Sequence, residues 1–235
     1  MKKQILEEKV YYYEDSVRDF DKLMQTIDEL DKLEEESGNV SWFDWTASND
    51  RDFIYGSTKT FDVGQINNMD EPYKSKMNFI YKTIMDSFYD VSKDYATALG
   101  DNDEPRFFPT FNIKKYKVGT SMGAHFDQLD GDQTLRYSLV MYLNDDFEGG
   151  EISFTLSDYD GVLEKTTPHP DYDNPENEKL MDFSVKPKAG SIIIFPSSAP
   201  YHHTAHLVKS KFKYMVPGHW IHNNMDFHTG TTEYW

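Results

Sequence analysis

His125 and Asp127, two residues apart, are the side chains of this sequence best placed to bind a metal ion. Side chains alternate along a β-strand, so residues i and i+2 point to the same face. On a strand this pair would present one imidazole and one carboxylate to a common point. A packed histidine at a strand end is the alternative role for His125, and the rest of the sequence has to decide between the two.

The same spacing occurs again in His169 and Asp171, but the surroundings differ. His169 lies in a polar stretch with three prolines and no hydrophobic alternation, which is typical of a surface loop. His125 follows a glycine-containing turn and precedes the apolar run 135–143, which predicts a strand. The first pair is therefore the better candidate for a metal site.

A third ligand is available among His202, His203 and His206. On a helix, His202 and His206 would form a zinc-binding pair, but the two preceding prolines and the β-rich flanks argue against a helix. On a strand, His203 shares a face with neither of the other two. Two histidines and one carboxylate with open positions suit non-haem Fe(II) and dioxygen chemistry.

A 2-oxo acid bound at such an iron also needs a cation for its distal carboxylate. Lys213 lies ten residues after His203, and Lys211 lies eight residues after it. The period of two places both lysines on one face, so spacing alone leaves the choice between them open.

The composition limits the class of protein. With 235 residues the chain fits one large domain or a β domain with helical additions, and its 16 Tyr, 16 Phe and 4 Trp suit sheets better than helix bundles. A net charge of −17 argues against nucleic acid and anionic membranes as partners. The absence of cysteine excludes disulfides, cysteine zinc sites and thiol nucleophiles. Because neither a signal peptide nor a membrane span is recognisable, we expect a cytoplasmic protein.

Hydrophobic spacing predicts a helical first part and a β-rich second part. Steps of three and four predict amphipathic helices over 15–36 and 70–98, and residues 40–62 predict short strands and turns. From residue 106 onward short strands predict a sandwich or barrel, and the polar segment 157–182 predicts a loop at its rim. The candidate strands are 107–117, 121–127, 134–144, 149–156, 183–186, 190–196, 202–208 and 211–222.

An ordered set of motifs between about 111 and 220 resembles the iron- and 2-oxoglutarate-dependent dioxygenases, specifically their prolyl 4-hydroxylase-like branch. The matching parts are Tyr116 nine residues before His125, the strand 136–144 ending in Tyr-Leu-Asn, Gly-Gly-Glu-Ile-Ser-Phe at 149–154, the segment 185–196, and then His203, Val208, Lys213 and Trp220. Ser153 stands where the family more usually has threonine.

The resemblance implies a mainly β fold with flanking helices (an α+β chain). A double-stranded β-helix, or jelly roll, would occupy 106–222. The helices of 1–105 would pack on it within the same domain, and 223–235 would be a tail.

The resemblance also implies roles for individual residues. His125, Asp127 and His203 would bind Fe(II), and the distance to Lys213 favours His203 over His202. Lys213 would pair with the far carboxylate of 2-oxoglutarate, and Tyr142 would hydrogen-bond to the same group. Tyr116 would lie near the metal and the co-substrate. For both tyrosines, packing within the sheet is the alternative role.

The implied activity is that of a dioxygenase that uses Fe(II), 2-oxoglutarate and O2, with ascorbate as an optional further cofactor. It would hydroxylate prolyl residues in a peptide or protein and release succinate and CO2. The alternatives are a dioxygenase for another residue, a nucleobase or a small molecule, a cupin-like metal-binding isomerase or lyase, and a binding module without iron. Substrate and oligomeric state are not determined by the sequence.

Overall fold

The computed structural model describes residues 1–39, 41–46, 54–128, 134–156 and 181–222. The elements in chain order are β1 (Lys2–Glu7), β2 (Val10–Glu14), α1 (Phe20–Ser37), β3 (Phe43–Trp45), β4 (Gly56–Asp62), α2 (Val63–Asn67), α3 (Tyr73–Leu99), β5 (Thr110–Tyr116), β6 (Met122–His125), β7 (Leu135–Tyr142), β8 (Glu148–Gly149), β9 (Ile152–Thr155), β10 (Phe183–Val185), β11 (Ser191–Pro196), β12 (His202–Ala205), β13 (Val208–Ser210) and β14 (Lys213–Ile221). None of the helices in these ranges is long and apolar enough to cross a membrane.

The strands form a large sheet and a small sheet, and all of their pairings are antiparallel. The large sheet has the order β1-β2-β11-β7-β14-β5-β4-β3, and the small one has the order β10-β9-β12-β6. A short pair, β13 with β8, accompanies them. This arrangement, mainly β with the helices on one side, confirms the predicted jelly-roll class.

Alternation along the large sheet separates two cores. On β7, Leu139 and Met141 belong to the core shared with α1 and α3, whereas Val140 and Tyr142 belong to the core shared with the small sheet. The second core also contains Phe154 of β9 in the small sheet. Side chains that point away from the helices therefore enter the space between the sheets.

The long helix α3 supports the large sheet from outside. Its buried residues Ile80, Ile84, Phe88, Val91 and Tyr95 recur at steps of three and four, as the sequence predicts. Its contact with β14 is close. A Cβ built on Gly218 would lie 2.7 Å from the Phe88 ring, so only glycine fits there without a shift.

The first 105 residues contribute strands as well as helices, which the sequence reading missed at the N-terminus. β2 pairs with both β1 and β11 and so extends the large sheet. Its residues Val10–Tyr13 are all buried, so the run lacks the alternation that marks a half-buried strand. The short helix α2 was also not predicted. Two predicted strands, 149–156 and 202–208, are each divided in two.

Candidate metal centre

Three side chains converge between the sheets, two from paired strands and one from just beyond a strand end. His125 ends β6, and its registered partner across the ladder is His203 of β12, with ring centroids 4.3 Å apart. Asp127 follows two residues after His125, just beyond the end of the strand. One potential ligand atom from each of these residues lies within 4.8 Å of the others. The structure thus brings together the three predicted metal ligands.

The donor atoms are spaced closely enough for one ion. Asp127 Oδ1 lies 3.6 Å from His125 Nε2, and Asp127 Oδ2 lies 3.8 Å from His203 Nε2. Ligands at about 2.1 Å on one face of an octahedron are about 3 Å apart, so a small inward movement suffices. The Nδ1 atom of His125 lies 2.8 Å from the Gly123 carbonyl oxygen. A proton on Nδ1 donated to that carbonyl leaves Nε2 free to bind metal.

The protonation states of the centre also suit a metal. Burial alone would raise the pKa of Asp127, but the charges of the nearby histidines and a hydrogen bond from Ser138 hold that pKa well below its usual value. Burial, together with the charge of His125, lowers the pKa of His203 to about 3. Asp127 is therefore ionised and His203 neutral near pH 7, which are the forms that bind divalent cations.

The structure distinguishes His203 from His202. The side chain of His202 packs edge-on against Phe126 at 5.0 Å between ring centroids, and its buried Nδ1 has no hydrogen-bond partner in the described part of the chain. His206 bonds to Ser153 instead, with 2.7 Å between Nε2 and Oγ. Because 202–205 is a strand, His202 and His206 do not form the helical zinc pair that the spacing allowed.

A buried cation lies where the predicted co-substrate site would be. Lys213 begins β14, is 1% exposed, and donates from Nζ to the Gly150 carbonyl at 2.7 Å. Its Nζ lies 5.4 Å from the ring centroids of both Tyr116 and Tyr142. Burial lowers the pKa of Lys213 to about 7, although the charge of Glu151 acts in the opposite direction. An incoming carboxylate would stabilise the charged form of this lysine.

The two predicted tyrosines line this site. Tyr116 and Tyr142 are almost fully buried, and burial raises the pKa of each, so both hydroxyls stay protonated and can donate hydrogen bonds. The charge of Asp127 adds to the raised pKa of Tyr116, and Lys213 Nζ also approaches the Tyr116 ring, at 5.4 Å. Lys211, the other predicted cation, instead lies at the surface, with Nζ 2.9 Å from Asp146.

Two further residues contact the centre without having been predicted. His219 of β14 has Nε2 3.8 Å from Asp127 Oδ2, as close as His203 comes to the same atom. Ser138 of β7 hydrogen-bonds to Asp127 and lies 2.8 Å, Oγ to Oγ, from Ser197. His219 stands six residues after Lys213, so the period of two puts it on the same face as Lys213 and would have identified it. Ser138 gives no comparable signal.

Some sequence predictions fall outside the described residues. They are the second pair, His169 and Asp171, most of the rim loop predicted at 157–182, and the tail at 223–235.

Comparison with known proteins agrees with this geometry. Residues 111–222 match the family model described as the 2OG-Fe(II) oxygenase superfamily, a range that contains the triad and Lys213. The match confirms the family resemblance carried by the motifs. No curated protein matches the chain.

Solved structures with the same fold include three prolyl hydroxylases. A prolyl-4-hydroxylase from Pseudomonas putida is 16% identical with a TM-score of 0.55, over 92% of this chain and 94% of that one. The viral collagen prolyl hydroxylase of Paramecium bursaria Chlorella virus-1 is 14% identical with a TM-score of 0.53, over 91% and 96%. A Trichoplax adhaerens prolyl hydroxylase in complex with a peptide of hypoxia inducible factor is 11% identical with a TM-score of 0.54, over 91% and 83%. At these identities the likeness shows the fold.

Proposed function

We propose, from the premise that residues 111–222 are a 2OG-Fe(II) oxygenase region, that this protein hydroxylates prolyl residues in a peptide or protein. The metal would be Fe(II), bound by His125, Asp127 and His203. The co-substrate would be 2-oxoglutarate, with its far carboxylate on Lys213 and Tyr142. Tyr116 would border both.

The observation that carries the proposal is the placement of two complementary sites on one inner surface. The triad offers two imidazole nitrogens and one carboxylate at mutual distances that suit a single ion. Lys213 offers a buried ammonium whose one hydrogen bond within the described residues goes to a backbone carbonyl. A metal-binding isomerase or lyase needs the triad but has no use for that cation, so the pair of sites favours an oxygenase.

Each residue has a physical role in this proposal. Fe(II) with 2-oxoglutarate and O2 supplies the oxidant for an unactivated C–H bond and yields succinate and CO2. Ser138 holds the Asp127 carboxylate in place, and the Gly123 carbonyl orients His125. The aromatic residues around Lys213 exclude water, which strengthens its attraction for a carboxylate.

The choice of a prolyl substrate is supported by the fold neighbours. Three of them are prolyl hydroxylases, and one of these was solved with a bound peptide. Ascorbate belongs to the proposal as a reductant that restores enzyme inactivated by turnover without substrate. Its omission should lower the number of turnovers, with no effect on the initial rate.

The test is an anaerobic titration with Fe(II) and 2-oxoglutarate followed by visible absorption. Wild type should develop a charge-transfer band, His125→Ala should lose it, and the matched control His202→Ala should keep it. Proline-containing peptides are then screened for hydroxylation coupled to succinate formation. Bound iron without the band would refute the 2-oxoglutarate site. Loss of the band in His202→Ala would show that His202, and not His203, is the distal ligand.

A further inference from the structure

The inner face of β5 carries a lysine that the proposed function does not use. Lys114 stands two residues before Tyr116 and shares its face, whereas Lys115 points to the opposite face. The Lys114 Nζ lies 4.0 Å from the Trp45 ring centroid. Trp45 in turn packs edge-on against Tyr116, with 4.9 Å between centroids. Lys114 therefore lies on the side of the sheet that holds the metal triad.

This lysine has no anionic partner among the described residues, whereas Lys59 and Lys213, each 1% exposed, both donate a hydrogen bond. Lys59 pairs with Glu34 at 2.8 Å, and Lys213 donates to a backbone carbonyl at 2.7 Å. Among the described residues, Lys114 contacts the Trp45 ring and forms no ion pair. A partly buried cation without an anion costs free energy, so an anion that enters from solvent would be stabilised beside it.

Asp127 is the acid whose charge acts on Lys114. Burial lowers the pKa of Lys114 to about 8, and the charge of Asp127 is the one effect that opposes this. When Asp127 binds Fe(II), the metal neutralises the charge of that carboxylate. Fe(II), Asp127 and a doubly charged 2-oxoglutarate together carry one negative charge, which the ammonium of Lys213 balances. Lys114 is then an excess positive charge on the face that holds the reacting centre.

His219 lies on the same side of the centre as Lys114. The ladder pairs Lys114 with Met215, and His219 stands four residues further along β14, so the period of two puts it on the same face. Its ring is 18% exposed, and its Nε2 is 3.8 Å from Asp127 Oδ2. A ligand next to Lys114 would thus meet a second group able to hydrogen-bond.

We propose that the substrate carries a carboxylate that pairs with Lys114 beside the metal centre, with His219 as an additional contact. This inference rests on the proposed function and narrows its substrate class. The carboxylate would belong to an aspartate or glutamate next to the reacting residue, or to the C-terminus of the peptide. The net charge of −17 repels such an anion at long range, so recognition has to come from a short-range contact.

The experiment compares three variants on a panel of short proline peptides. Lys114→Met removes the charge, Lys114→Arg keeps it, and Lys115→Met removes a charge from the opposite face of the same strand. The peptides carry aspartate, asparagine or lysine after the proline, each with a free or an amidated C-terminus. Peptide affinity is measured anaerobically from the change in the charge-transfer band of the Fe(II)–2-oxoglutarate enzyme, and succinate formation is measured in air.

Wild type should bind the peptides with a carboxylate about ten- to a hundredfold more tightly than their neutral counterparts, as for a hydrogen bond to a charged group. Lys114→Met should lose this preference while its affinity for 2-oxoglutarate is unchanged. Lys114→Arg should retain most of it, and Lys115→Met should behave as wild type. Preference for aspartate or for a free C-terminus identifies which carboxylate is recognised.

Three results would overturn the inference. They are a wild type that ignores peptide charge, a Lys114→Met variant that binds 2-oxoglutarate more weakly but keeps its peptide preference, and an equal loss in Lys115→Met. In each of these the charge-transfer band still forms, so the proposed function survives. Absence of the band in wild type would instead remove the proposed function, and this inference with it.

Discussion

Replacement of Lys213 by methionine should stabilise the metal-free protein and abolish tight binding of 2-oxoglutarate. The wild-type lysine is 1% exposed, and burial lowers its pKa from 10.5 to about 7. A difference of that size corresponds to at most about 5 kcal/mol of destabilisation. Loss of the hydrogen bond to Gly150 offsets about 1 kcal/mol, and water entry reduces the penalty further. We therefore expect the free energy of unfolding of Lys213→Met to exceed that of wild type by about 2 kcal/mol at pH 6.

The sign of the pH dependence gives a second check on this variant. Between pH 7 and 10.5 the unfolded chain holds the Lys213 proton and the folded chain has lost it, so wild-type stability rises with pH in this window. Below pH 7 both states hold the proton and the full penalty applies. The advantage of Lys213→Met should thus be largest at pH 6 and shrink by pH 10.

Urea denaturation at these pH values measures the stability, and repetition with excess 2-oxoglutarate and a divalent metal measures binding by the shift in midpoint. Loss of one charge-assisted contact should weaken 2-oxoglutarate binding about ten- to a hundredfold. Lys211→Met, on the exposed partner of Asp146, should change neither quantity. A Lys213→Met protein that is less stable than wild type at pH 6 and binds 2-oxoglutarate normally would refute the reasoning.

Three further predictions concern the support of the centre and of the sheet. Lys59→Met removes the ion-pair partner of the buried Glu34 carboxylate and should lower the free energy of unfolding by about 3–5 kcal/mol in urea denaturation. Addition of Glu34→Leu should recover most of that loss. Equal stability of the single and the double variant would contradict this. Gly218→Ala should cost about 1–3 kcal/mol because its Cβ would overlap the Phe88 ring, and Phe88→Leu should reduce that cost in a double-mutant cycle. Ser138→Ala should weaken Fe(II) binding about ten- to a hundredfold in a competition titration with a chelator, and an unchanged affinity would show that Asp127 needs no support from this hydroxyl.

Local periodicity in the sequence was sufficient to predict the elements that bury one face. The stripe of α3 was predicted with boundaries within a few residues of those observed, because its apolar spacing reflects a single buried side. β2 was missed because it is buried on both faces and is short, a pattern that does not distinguish strand from helix. Its partner β11 lies about 180 residues away in the chain, so no local signal could supply the pairing.

The same distinction holds within the site. The period of two could not choose between Lys211 and Lys213, but the structure does so through the turn before β14, where Lys211 adopts a φ of 57° and leaves the face that Lys213 keeps. That conformation removes Lys211 from the strand and sends its ammonium to the surface at Asp146. A one-residue change of backbone region thus decides which cation reaches the core, and motif spacing carries no information about it.

Lys114 illustrates the remaining gap, since the sequence places it in a run of three lysines within four residues. Strand alternation assigns Lys114 and Lys115 to opposite faces, but only the fold shows that one face is the interior of the jelly roll. There the lysine meets Trp45, which arrives from β3, and the field of Asp127, which arrives from the end of β6. These neighbours come from separate elements of the chain. The sequence therefore suggests a solvated lysine, whereas the structure places it in a defined environment. The lack of an anionic partner for Lys114 among the described residues is therefore a property of the tertiary fold. The peptide panel tests whether a substrate carboxylate takes that place.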